Sequence, residues 1–130
     1  MAGFGDALRI VASGMRAQGQ RLRHVSENIS NADTPGYRRK TVGFLAEVEA
    51  GRPTGAVRVG RVQLDRSEPR RVHDPAHPLA GADGTYEASN VNLLTEIADA
   101  REAQRSYEAN LKMFEQTRRM SGALFDLLKR

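Results

Sequence analysis

In FGDALRIVASGMRAQGQRLRHVSENISNA, residues Phe4 to Ala32, apolar side chains fall at Phe4, Leu8, Val11, Met15, Leu22, Val25, Ile29 and Ala32, with Gln18 filling the one gap. The steps alternate between four and three residues, which keeps one face of a helix continuously apolar and makes a heptad seam. Asp6 is a candidate N-cap. Pro35 and Gly36 cannot continue a helix, so the spacing predicts one from about Asp6 to about Asn31. The opposite face carries Arg9, Arg16, Arg23 and Glu27.

The far end of the chain repeats the pattern. Ile97, Ala100, Gln104, Tyr107, Leu111, Phe114, Arg118, Ser121, Phe125 and Leu128 again step by three and four, predicting a second long helix that starts near Asn92 with Asn90 or Asn92 as its cap. Gln104, Arg118 and Ser121 make this seam partly polar, a feature that specifies register and partner at some cost in stability. The expected fold is mainly α with a small β-rich insert. The terminal helices should pack as an antiparallel coiled-coil-like pair, with Leu8, Val11, Leu22, Val25 and Ile29 against Tyr107, Leu111, Phe114 and Phe125. Three regions follow: residues 1–36 as the first helix and its junction, 37–88 as the insert, and 89–130 as the last helix.

Within the insert, 41–45 and 56–64 read as short strands, with Gly51, Pro53 and Gly55 in the turn between them. The stretch from Ser67 to Tyr86 holds Pro69, Pro75, Pro78, Gly81 and Gly84 and reads as extended loop.

Of the 130 residues, 39% are hydrophobic and 5% aromatic, with no Trp, against 28% charged. So thin a supply of core suggests that partners complete the fold and that the ends order on assembly. The net charge of +4 comes from 20 basic and 16 acidic residues interleaved along the chain, which reads as a solvated surface and argues against nucleic-acid binding. The absence of Cys excludes disulfides, thiolate ligands and Cys nucleophiles. The first residues lack the basic region of a cleaved secretory signal, and no apolar run reaches transmembrane length, so neither a cleaved leader nor direct membrane insertion is expected.

Catalytic and cofactor chemistry finds little support. His73 and His77 lie four apart, but in HDPAHP the prolines oppose the helix that would bring both to one metal, and no third ligand stands nearby. No G-x-S-x-G elbow and no G-x-G-x-x-G phosphate loop occurs. We expect no enzyme, no cofactor and no metal. By residue patterns alone, a coiled-coil adaptor or a basic nucleic-acid-binding module stays open as the alternative to a structural subunit.

The junction after the first helix is the most distinctive segment. In SENISNADTPGYRRK, Asn28 and Asn31 offer amides to local backbone, and Thr34, Pro35 and Gly36 turn the chain. Tyr37 adds a large amphipathic ring, and Arg38, Arg39 and Lys40 form a basic cluster.

At Asn28, Asn31, Thr34, Pro35, Gly36 and Tyr37 the chain resembles the N-terminal signature of the flagellar basal-body rod, hook and filament-junction family of axial proteins. SNVNLLTEI at Ser89 to Ile97, with Asn90 and Asn92, and RSYEANL with Tyr107 and Asn110 resemble that family's closing helix. YRRKTVGF at Tyr37 to Phe44, DPAHP at Asp74 to Pro78, and NVN before the last helix are similar to its short proximal rod members. The resemblance implies a subunit of a hollow helical drive shaft, exported by the flagellar type III apparatus without a cleaved signal and assembled in the periplasm. Its partners would be copies of itself, neighbouring rod proteins and the motor-ring adaptor. Leu8, Val11, Met15, Leu22, Val25, Ile29, Ile97, Leu111, Phe114, Phe125 and Leu128 would be the residues through which its helices assemble.

Overall fold

A computed structural model describes residues 3–129. Helix α1, Phe4–Ser30, is followed by strands β1 (Lys40–Thr41), β2 (Phe44–Glu49), β3 (Arg52–Val59), β4 (Gln63–Leu64), β5 (Arg71–His73) and β6 (Thr85–Glu87), and then by helix α2, Leu93–Leu128. The protein is therefore two long helices with a β-rich middle. Gly3, not Asp6, is the N-cap of α1. Asp6 lies inside the first turn, where its negative charge favours the helix dipole without capping a backbone N–H. The helix ends where Asn31 folds back: its Nδ2 donates to the Glu27 carbonyl at 2.9 Å, and its backbone N–H is shared between the Glu27 and Asn28 carbonyls. Asn92 caps α2, its Oδ1 accepting from the Leu94 and Thr95 N–H groups at 3.0 and 3.4 Å.

The helices pack on one another in opposite sequence order. Asn28 lies opposite Glu96, Arg21 opposite Asp99 and Glu102, and Gly14 opposite Asn110. A Cβ on Gly14 would sit 2.9 Å from Asn110 Nδ2, so the missing side chain lets the amide lie directly on the α1 backbone. The face that α2 turns inward differs by half from the predicted seam. Ala100, Tyr107, Phe114 and Ser121 are inward as read, but the alternate positions are Glu96, Ala103, Asn110 and Thr117, whereas Ile97, Gln104, Leu111 and Arg118 are exposed. Small and polar side chains permit the close approach at Gly14 and the hydrogen bonding at Glu96, and rotate the larger apolar ones outward. Phe125 does not pack on α1. Every residue from Gly122 to Lys129 is exposed, because the 36-residue α2 outruns the 27-residue α1. Ile29, read as part of the α1 seam, is also exposed, since the chain turns away immediately after it.

The insert forms three antiparallel two-stranded ribbons: β1 with β4, β2 with β3, and β5 with β6. The expected turn lies earlier than Pro53 and Gly55. Ala50 and Gly51, at φ 51° and 78°, form the two-residue turn, and Pro53 pairs with Val48 inside β3. Gly55 is also within β3. Its φ is 90°, and a Cβ would meet Ile10 Cδ1 at 2.9 Å, so glycine is needed both for the backbone conformation and for the contact that seats β3 on α1. Ser13 Oγ fixes the same contact by accepting from Val57 N–H at 3.0 Å while donating to the Ile10 carbonyl. The segment expected to be loop carries β5 and β6, with His77 stacked on Tyr86 at 3.9 Å between ring centres.

The buried apolar residues are small: Val11, Ala17, Val25, Ala32, Ala56, Ala88, Val91 and Ala103. Ser13, Asn28, Ser89 and Glu96 are buried among them. The interior is thin, as the composition suggests, and polar groups hold its centre.

Candidate functional site

The centre of the molecule is where the end of α1, the junction after it and the start of α2 meet. Asn28, 1% exposed, uses its full hydrogen-bonding capacity. Its Nδ2 donates to the Lys40 carbonyl at 2.9 Å and to Glu96 Oε2 at 3.2 Å. Its Oδ1 accepts from the Tyr37 hydroxyl at 2.8 Å and from the Lys40 N–H at 2.9 Å. One side chain thus ties α1 to the junction strand and to α2. Burial, reinforced by the Glu27 and Glu96 carboxylates and opposed by Lys40, pushes the Tyr37 hydroxyl above its ordinary pKa and favours the protonated donor.

Glu96 is fully buried, and its charge is met by Arg39. The guanidinium spans three carboxylates: Nε bonds Glu96 Oε1, Nη2 bonds Asp99 at 2.7 Å, and Nη1 lies 3.6 Å from Asp65. Burial opposes the Arg39 charge, but the Glu96 hydrogen bond and the fields of Glu96, Asp99 and Asp65 outweigh it and hold the pKa above its ordinary value. Asp65 in turn is depressed below the usual carboxylate range by hydrogen bonds from the Ser67 backbone and hydroxyl, then by Arg39. Lys40 reaches back to Glu27 at 2.5 Å.

The chain before α2 completes the junction. Asn90 Oδ1 accepts from the Arg39 N–H at 2.7 Å, and its Nδ2 donates to the Asp65 and Ser67 carbonyls at 3.0 and 3.1 Å. Arg38 Nη1 donates to the same two carbonyls. Ser89, fully buried, donates to the Ala32 carbonyl and accepts from Val91 N–H. The turn itself is local: Thr34 Oγ1 donates to Asn31 Oδ1 at 3.1 Å, Tyr37 N–H to the Thr34 carbonyl at 3.1 Å, and Gly36 takes φ 74° after Pro35. Such an arrangement fixes geometry. The polar atoms of Asn28, Ser89 and Glu96 are each occupied by a structural partner, whereas Gln18 Oε1 and His24 Nδ1 are buried without one.

The structure therefore brings together Asn28, Tyr37, Arg38, Arg39 and Asn90, keeps Asn31, Thr34, Pro35 and Gly36 in the adjoining turn, and uses Asn92 as a cap. Tyr107 and Asn110 lie apart from this network. Asn110 rests on Gly14, and Tyr107 lines a groove with Met15, Gly19 and Phe114. Of the helix residues, Val11 and Val25 are buried, and Leu8, Met15, Leu22 and Phe114 are half-buried. Ile29, Ile97, Leu111, Phe125 and Leu128 face outward. Sequence reasoning missed Glu96, Asp99, Asp65 and Ser89. Glu96 reads as an ordinary first-turn acid, and only the three-dimensional return of Arg39 gives it a buried role. His73, at the end of β5, and His77, in the connection to β6, fall outside the network, and among the described residues no group of three or more His, Asp or Glu is placed to hold a metal.

Residues 8–38 match the family described as "Flagella basal body rod protein", and residues 82–127 match "Flagellar basal body rod FlgEFG protein C-terminal". The chain is 45% identical to the flagellar basal-body rod protein FlgC of Agrobacterium fabrum, over 95% of this chain and 94% of that one. The chain belongs to the flagellar basal-body rod protein family. FlgC of Salmonella typhimurium is 32% identical over 85% of this chain and 87% of its own length, and FlgC of Bacillus subtilis is 32% identical over 88% and 91%. The two matched stretches of this rod protein are those that the buried network joins: Asn28 and Tyr37 come from the first, Asn90 and Glu96 from the second. Among the described residues no helix of the rod protein is long and apolar enough to cross a membrane.

Proposed function

We propose that this chain is a structural subunit of the proximal rod, polymerising with its own copies and neighbouring rod proteins into the hollow shaft that transmits torque from motor to hook. The observation that carries this reading is the apolar surface that α2 leaves uncovered. Glu96, Ala103, Asn110 and Thr117 serve the subunit's own fold, whereas Leu111, Met113 and Met120 are exposed around the same helix and Leu124, Phe125, Leu127 and Leu128 are exposed where α2 runs past the end of α1. Apolar surface on that scale is a binding surface when the partner is present and a liability otherwise. A head-to-tail contact that does not close generates a helical filament, the symmetry a shaft requires.

In this reading residues 1–36 and 89–130 form the rod core as an antiparallel, coiled-coil-like pair lining the inner tube. Residues 37–88 face outward, and the family-motif residues hold the two parts in one orientation. Export through the type III apparatus, assembly in the periplasm and contact with the motor-ring adaptor belong to the same reading. The test is a clean deletion with complementation. The deletion strain should lose hooks and swimming, and the full chain should restore both. Normal hooks and swimming without the chain would overturn the proposal.

A further inference from the structure

The interleaving of charge read along the chain fails at one stretch, and the net charge is not spread evenly. Of the 20 basic and 16 acidic residues, the stretch 52–71 holds Arg52, Arg58, Arg61, Arg66, Arg70 and Arg71 against only Asp65 and Glu68, so the excess of four belongs wholly to this part of the insert. All six arginines are exposed. Arg38, Arg61 and Arg66 line an open trough of about 990 Å³ together with Thr41, Gln63, Leu64 and Asp65. The Asp65 carboxylate is already committed to Ser67 N–H at 2.8 Å and to Arg39. Arg38 reaches only backbone carbonyls, and among the described residues neither Arg61 nor Arg66 has a carboxylate partner. Leu64 is 55% exposed in the trough, and Val62 beside it is 41% exposed.

We propose that this trough docks an acidic surface of a second protein, with carboxylates pairing to Arg38, Arg61 and Arg66 around an apolar side chain seated on Leu64. Arginine forks favour planar carboxylates, and arginine mixed with exposed apolar side chains is the composition of a protein interface. No aromatic ring lines the trough to stack a base, which separates it from a single-strand nucleic-acid groove. Copies of the chain are poor occupants. Outside 52–71 acidic and basic residues balance, so a copy offers no acidic excess to meet three guanidiniums that lack a carboxylate partner. The partner is therefore a different, acidic chain. The proposal rests on the reading of the protein as an assembly subunit.

The test uses the full chain carrying Arg61→Glu and Arg66→Glu in the deletion strain. The purified variant should melt as the unaltered protein does, while hook-bearing cells fall by about tenfold as two charge pairs become repulsions. Swimming revertants should carry acid-to-base changes on the surface of another protein. Hook numbers equal to wild type, or revertants confined to this chain, would overturn the docking proposal. So would retention of the full chain, dependent on Arg61 and Arg66, on phosphatidylglycerol vesicles or duplex DNA at physiological salt. Should the double reversal unfold, Arg61→Gln with Arg66→Gln supplies the hook count alone: a fall supports the docking proposal, and wild-type numbers overturn it. A deletion strain that still builds rods strikes instead at the assembly reading, and takes this proposal with it.

Discussion

Asn28 is one residue whose loss would be felt in three elements. Its replacement by Ala would leave the Tyr37 hydroxyl, both backbone groups of Lys40 and a Glu96 oxygen short of a partner in a water-poor site. We predict a loss of about 2–4 kcal/mol, seen as a fall of roughly 10 °C in melting temperature. Asn28→Asp keeps the shape but sets a second carboxylate against Glu96 Oε2, 3.2 Å away in the native pair. It should be more destabilising at neutral pH than at mildly acidic pH. Tyr37 gives a separate pH signature. Its pKa in the folded state is raised, so the stability it contributes is fully present below the ordinary tyrosine value of about 10 and is lost as pH rises through the folded value. Tyr37→Phe should remove a raised tyrosine step from an ultraviolet titration and flatten the alkaline limb of stability against pH. Loss of a step that lies at the ordinary tyrosine value would contradict the burial of the hydroxyl beside the Glu27 and Glu96 carboxylates. The importance of Asn28 and Tyr37 was legible in the sequence as a dense, turn-rich motif. Their partner Glu96 was not, because burial of a carboxylate depends on an arginine 57 residues away in the chain.

At the scale of elements, both helices were legible because steps of three and four residues persist over many turns, a signal that short strands cannot give. The strand pairings were only partly so. Val57 and Val59 alternate as a strand should, but β5 and β6 have three residues each and are separated by the DPAHP segment, so no local pattern links them. The face of α2 was misread at Ile97, Gln104, Leu111 and Arg118 for a definite reason: hydrophobic periodicity identifies an apolar face without saying whether it meets the same subunit or another. The contact of α1 with β3 supplies a test. Gly55→Ala should cost about 2 kcal/mol, from the positive φ and from the clash with Ile10. Ile10→Val, which removes the clashing Cδ1, should recover only part of that in the double variant, because the backbone strain persists. A double-mutant cycle in chemical denaturation measures the coupling, and strictly additive effects would contradict the contact.

For the whole molecule, a core of Ala and Val with a buried polar centre explains how 39% hydrophobic composition suffices for the fold: the larger apolar side chains are held at the surface. We propose that the subunit gains much of its rigidity on assembly, so that the isolated chain shows less helix by circular dichroism than its 27- and 36-residue segments would give when fully formed. The terminal segments that match the family are also the segments that pack against each other. The most direct measurement is a cryo-electron microscopy map of basal bodies purified from the complemented strain. The account predicts rod-wall density for this chain as paired helices in opposite order, with Asn28 against Glu96, the exposed face of α2 on a neighbouring subunit and the insert outside. Rods of normal length lacking this chain, or containing it with the two helices apart, would contradict it.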